Sequence, residues 1–145
     1  MIEIRSELAI TGSQIDFHAL RERTGIDGET RDARRLWGTQ GCYYEALWRI
    51  EAAMQGTSVH PTDSDPSWQY PAVSLPTEEL FALLSDRIEG IGDYCRTNSL
   101  EVYLTEIVRS SGDALPIMEF SPALLHKIGV IGATLQFDIY LNAEK

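Results

Sequence analysis

The sequence predicts an α+β fold, a two-layer sandwich in which a mainly antiparallel β-sheet packs against about three to four helices. Three observations carry this expectation. Segments alternating apolar and polar residues, as half-buried strands do, open the chain, recur near residue 100 and close it. Between them lie segments whose helical starts and stops are spelled out by capping residues. The two kinds interleave in the order β-α-(β/α)-β-α-β-α-β. At 145 residues with 43% hydrophobic content, one domain spanning 1–145 with a substantial core is expected.

In "EIRSELAI", Ile4, Ser6, Leu8 and Ile10 share one face, and Arg5, Glu7 and Ala9 the other. In "IDFHALRERTG", Asp16 can accept from exposed amides at the start of a short helix, and Gly25 suits its left-handed stop. The polar "DGETRDARR" reads as a connection. The next segment, "CYYEALWRIEAAMQG", is ambiguous. Tyr43, Leu47, Ile50 and Met54 fall at helical spacing among good helix formers, while Tyr44, Ala46, Trp48 and Ile50 alternate. Helix is the favoured reading of residues 42–55.

"SVHPTDSDPSWQYP" contains three prolines, which forbid a continuous helix and leave "SWQY" as an edge strand. Thr77 is expected to cap the longest helix, whose buried stripe is Leu80, Leu84, Ile88, Ile91 and Cys95. Gly90 and Gly92 weaken that helix and mark a close contact or a bend. "LEVYLTEIVR" is a strand whose alternation slips near Thr105, as at a bulge. "FSPALLHKIG" has Ser121 as cap, Pro122 in the first helical position and Gly129 as stop. "TLQFDIYLN" closes the chain with Leu135, Phe137, Ile139 and Leu141 on the core side.

The chemistry-bearing residues form no recognised catalytic motif. There is no nucleophile elbow, phosphate-binding loop or dinucleotide fingerprint. His60, Asp63 and Asp65 could begin a metal site, but without a second ligand pair at fixed spacing the stretch reads as a stiff polar loop. No catalytic residue, metal or cofactor is assigned. A net charge of −10 disfavours nucleic acid and anionic membranes and favours a basic protein partner. The five arginines among residues 21–35 are interleaved with acids and read as a solvated, ion-paired surface. No run approaches the roughly 18 apolar residues of a membrane span, and the acidic N-terminus does not read as a signal peptide. A cytoplasmic protein is expected.

Aromatic residues concentrate between 37 and 70, and tyrosine and tryptophan carry much interface energy. Trp37, Tyr43, Tyr44, Glu45, Trp48 and Glu51 are therefore the expected partner-binding residues. Two alternatives stand beside this one. A small-ligand site or an enzyme's pocket would lie under residues 38–66 and use Cys42, His60 and Asp63, and a homo-oligomer would bury an exposed sheet edge.

"ELAITGSQIDFHALRERTGI", "SWQYPAVSLPTEELFALLSDRI" and "FSPALLHKIGVIGATLQFDIYLN" together resemble the bacterial family catalogued as domain of unknown function 4279. The likeness covers about two thirds of the chain and rests on caps, stops and core positions. Residues 38–66 depart from the family pattern as a divergent insertion. The resemblance implies no activity and no catalytic residues. Some members resemble immunity proteins that neutralise toxins passed between competing bacteria, which implies toxin neutralisation as one form of protein binding.

Overall fold

The structure, a computed structural model, describes residues 2–56, 72–111 and 115–141. These form an α+β fold around a five-stranded mixed sheet of order β2-β3-β1-β4-β5. The strands are β1 (Ile2–Gly12), β2 (Glu29–Gly38), β3 (Gly41–Gly56), β4 (Glu101–Ser110) and β5 (Ala133–Tyr140). The helices are α1 (Phe17–Thr24), α2 (Ser74–Leu84), α3 (Ile88–Thr97) and α4 (Pro122–Ile131).

β1 lies at the centre, antiparallel to both β3 and β4, because its alternation supplies a complete apolar face for neighbours on either side. Ile2, Ile4, Leu8 and Ile10 are all buried, with Ser6 among them. Leu8 and Ile10 sit opposite Ile50 and Trp48 of β3, and opposite Leu104 and Val102 of β4. The other face of the sheet is lined by the half-buried or exposed Arg5, Glu7, Arg49 and Glu51.

Two of the three expected helix N-caps hold, Asp16 and Ser121. Asp16 accepts a 3.0 Å bond from the Ala19 amide, and Gly25 closes α1 with φ +70°. Ser121 accepts from the Leu124 amide at 3.1 Å, with Pro122 opening α4. The stripe Leu80, Leu84, Ile88, Ile91 and Cys95 is buried throughout.

Several expectations are corrected. Residues 42–55 are strand, not helix. β3 pairs with β1 over eleven residues and with β2 on its other side, so its even positions Ala46, Trp48, Ile50 and Ala52 are buried as on any core-facing strand. The polar "DGETRDARR" supplies most of β2, an edge strand whose two faces are largely exposed and so carry no apolar alternation. The long helix begins at Ser74, and Thr77 is buried within its first turns instead of capping it. It breaks at Ser85 (φ +52°) into a single 3-10 turn before α3 resumes. α4 runs through Gly129 and stops at Gly132.

There is no bulge at Thr105. β4 pairs with β1 in unbroken register, and the slip arises because Glu106 occupies a core-facing position. β5 runs parallel to β4 at the sheet's far edge. Leu135 packs on the core, but Phe137, Ile139 and Leu141 are exposed, because no further strand covers them among the described residues. The edge strand expected at "SWQY" lies outside the described residues. Among the described residues, no helix is long and apolar enough to cross a membrane.

Candidate functional site

The β2–β3 hairpin extends past the rest of the sheet. The ladder between β1 and β3 ends at Gly12 opposite Ala46, whereas β3 begins at Gly41. Beyond that point β3 pairs, among the described residues, only with β2, through Arg34–Glu45, Arg35–Tyr44, Leu36–Tyr43, Trp37–Cys42 and Gly38–Gly41. A β-bulge between Arg31 and Arg34 shifts the register by one residue. Arg31 and Arg34, three apart in sequence, therefore both share the open face of the sheet with Glu45. This follows because directly opposed residues point to the same side.

On this hairpin the aromatic side chains have no core to enter. Trp37 is 75% exposed, Tyr44 60% and Tyr43 46%. Trp37, Tyr44 and the exposed Cys42 lie on the helix-side face, and Tyr43 lies on the open face. Arg35 stacks over the Trp37 ring at 5.5 Å, which holds the indole while leaving its other face to solvent. Glu45 is half-buried and within 4.0 Å of Arg31.

Next to Tyr43 and Glu45, the adjacent end of β4 contributes Glu101 and Tyr103. Sequence reasoning missed both, although their outward alternation on β4 signals them. Tyr103 donates its hydroxyl proton to Glu101. That bond, together with partial burial and the charge of Glu101 and Glu45, pushes the phenol up to about 12. A depression of about 240 Å³ lies here between Ser13, Tyr43, Tyr44, Glu45 and Glu101. A more open depression of about 430 Å³ surrounds Cys42 at the hairpin turn.

The structure thus gathers Trp37, Cys42, Tyr43, Tyr44 and Glu45 on one hairpin. It does not bring the other expected residues there. Trp48 is 1% exposed and belongs to the core, because its even position on β3 faces the helices; its place among the partner-binding residues is withdrawn. Glu51 is six residues from Glu45, about 20 Å along an extended strand. It stands 3.8 Å from Arg5 in an ionic lattice on the open face, where Arg49 also contacts Glu29 at 2.6 Å and Glu7 at 3.5 Å. His60 and Asp63 lie outside the described residues, as does Asp65. Among the described residues no group of three or more histidine, cysteine or acidic side chains is placed to hold a metal ion.

The arginine-rich stretch is largely committed to partners. Arg21 pairs with Asp27 at 2.8 Å, Arg23 lies over the Tyr94 ring and Arg35 over Trp37. Comparison with protein-family models, curated proteins and solved structures finds no match to this chain.

Proposed function

We propose that this chain is a protein-binding module that engages its partner with the projecting end of the β2–β3 hairpin. The observation that carries the reading is the exposure of Trp37, Tyr43 and Tyr44 together on one two-stranded element. Exposing three large aromatics to water is unfavourable, and such side chains are those that anchor protein interfaces. Contact and steering are divided. The whole molecule, at −10, attracts a basic protein over distance, while Arg34 and Arg35 on the hairpin itself favour a carboxylate at the centre of the partner's surface. The reading includes a two-layer packing, with helices covering one face of the sheet and the hairpin reaching past both layers. Toxin neutralisation, as in immunity proteins, is the specific role that the resemblance to domain of unknown function 4279 suggests.

Differential capture tests this. Immobilised wild type and the variant Trp37→Ala/Tyr43→Ala/Tyr44→Ala are exposed to the same bacterial lysate, alongside any toxin encoded beside the gene. A basic protein retained by the wild type and lost by the variant supports the reading. Identical capture by both rejects it.

A second reading rests on β5. The far edge strand exposes Phe137, Ile139 and Tyr140 at 43%, 43% and 50%. A second copy pairing along this edge would make a homo-oligomer. Sedimentation of the wild type against Phe137→Lys separates the two, because the hairpin variant leaves this edge intact.

A further inference from the structure

At the centre of the molecule, Glu106 of β4 is completely buried. It sits directly opposite Ser6 of β1, also completely buried, and Thr77 of α2 reaches down onto the same spot. Three contacts close a triangle. The Ser6 hydroxyl bonds one carboxyl oxygen of Glu106, the Thr77 hydroxyl bonds the other, and the two hydroxyls lie 2.9 Å apart. Each hydroxyl has one proton to give. Three hydrogen bonds in a closed ring therefore need a third proton, and the only other group in the ring that can supply it is the carboxyl.

We propose that Glu106 is held as the neutral acid, that its proton completes a ring of three hydrogen bonds with Thr77 and Ser6, and that α2 is docked on the sheet by this proton. In the ring, Glu106 donates to Thr77, Thr77 donates to Ser6, and Ser6 donates back to the second carboxyl oxygen. Ionisation removes one of the three bonds and leaves a buried charge without a cation beside it among the described residues. The titratable side chains of the surrounding elements do not supply one. Arg5 and Glu7 of β1, Arg109 of β4 and Asp138 of β5 belong to the opposite face of the sheet. Glu78 and Glu79 of α2, and His126 and Lys127 of α4, are exposed to solvent. Burial pushes the Glu106 carboxyl above its ordinary range, opposed by its bonds to Ser6 and Thr77, and no charged neighbour among the described residues contributes.

The sign of the pH dependence follows. Folded chains bind a proton at Glu106 that unfolded chains have released, so the contribution is complete below the ordinary glutamate value of 4.5. It is lost as pH rises through the higher folded-state value. α2 is the element expected to loosen, because Thr77 ties it to the ring and the Ser85 break separates it from α3.

The test compares the intact wild type with Glu106→Gln, whose amide can donate and accept in the same ring without titrating. Urea unfolding is measured from about pH 5 to about pH 9. In part of that range the wild-type unfolding constant should rise, relative to Glu106→Gln, by up to about tenfold per pH unit. Amide exchange at Leu80 and Phe81 in α2 should accelerate over the same range relative to Ile128 in α4, and only in the wild type. Parallel pH curves for the two proteins overturn the proposal. Should Glu106→Gln not fold, the wild type alone decides. Its infrared spectrum, followed from about pH 5 to about pH 9, must contain a protonated-carboxyl carbonyl band that persists above the ordinary glutamate range. The band must disappear over the pH range in which α2 loosens, and absence of such a band overturns the proposal equally.

Discussion

Gly92 of α3 lies against the backbone carbonyl of Val130 in α4, so closely that a β-carbon on Gly92 would come within 2.6 Å of that oxygen. The two helices meet backbone to backbone, and the obstacle to any larger residue is main chain, which cannot swing aside. Gly90, two residues earlier on the same helix, faces open space. The pair therefore responds to alanine with opposite signs. Gly90→Ala should stabilise the protein by about 0.5–1 kcal/mol through helix propensity. Gly92→Ala should destabilise it by about 1–3 kcal/mol through overpacking. Chemical denaturation of the two variants measures both.

Two tryptophans separated by eleven positions should behave as core and surface. Trp48 is buried against the helices and Trp37 stands in water. Trp48→Ala should cost about 3–5 kcal/mol, and Trp37→Ala should stay within about 0.5 kcal/mol of wild type. Equal costs for the two would mean that β3 does not run in the register described.

The cysteines divide in the same way. Cys42 is exposed on the hairpin, whereas Cys95 is 1% exposed and burial pushes its thiol up to about 11. A thiolate is the reacting species, so a thiol-modifying reagent at neutral pH should label one cysteine in the folded protein and two in denaturant. Peptide mapping should place the native label on Cys42.

Thr77→Val keeps the shape of the side chain and removes its hydroxyl from the buried ring. The loss of a buried partner for Glu106 should cost about 1–3 kcal/mol. The unfolding free energy below and above neutral pH measures it.

Where the sequence was readable, a local physical signal decided the structure. Asp16, Gly25, Ser121 and Pro122 mark helix ends because capping is settled within four residues. β1 is visible because its two faces meet different surroundings. β3 was misread because its pairing with β1 and β2 is non-local, while Tyr43, Leu47, Ile50 and Met54 happen to recur near the helical period. β2 left no trace, since an edge strand exposed on both faces has no reason to alternate. Glu106 hid the regularity of β4, because a buried acid looks polar to any pattern rule and it is bonds to Ser6 and Thr77 that make the position tolerable. Of the candidate surface, Trp37, Tyr43 and Tyr44 were legible as aromatics. That they share one projecting hairpin, and that Trp48 does not belong with them, depended on the strand register.

The most direct measurement of the proposed function is the comparison of lysate capture by the wild type and by Trp37→Ala/Tyr43→Ala/Tyr44→Ala, with both proteins first shown to unfold at the same urea concentration. The hairpin reading predicts a basic protein bound by the wild type, weakened by added salt and absent from the variant's eluate. The same protein bound equally by both would contradict it.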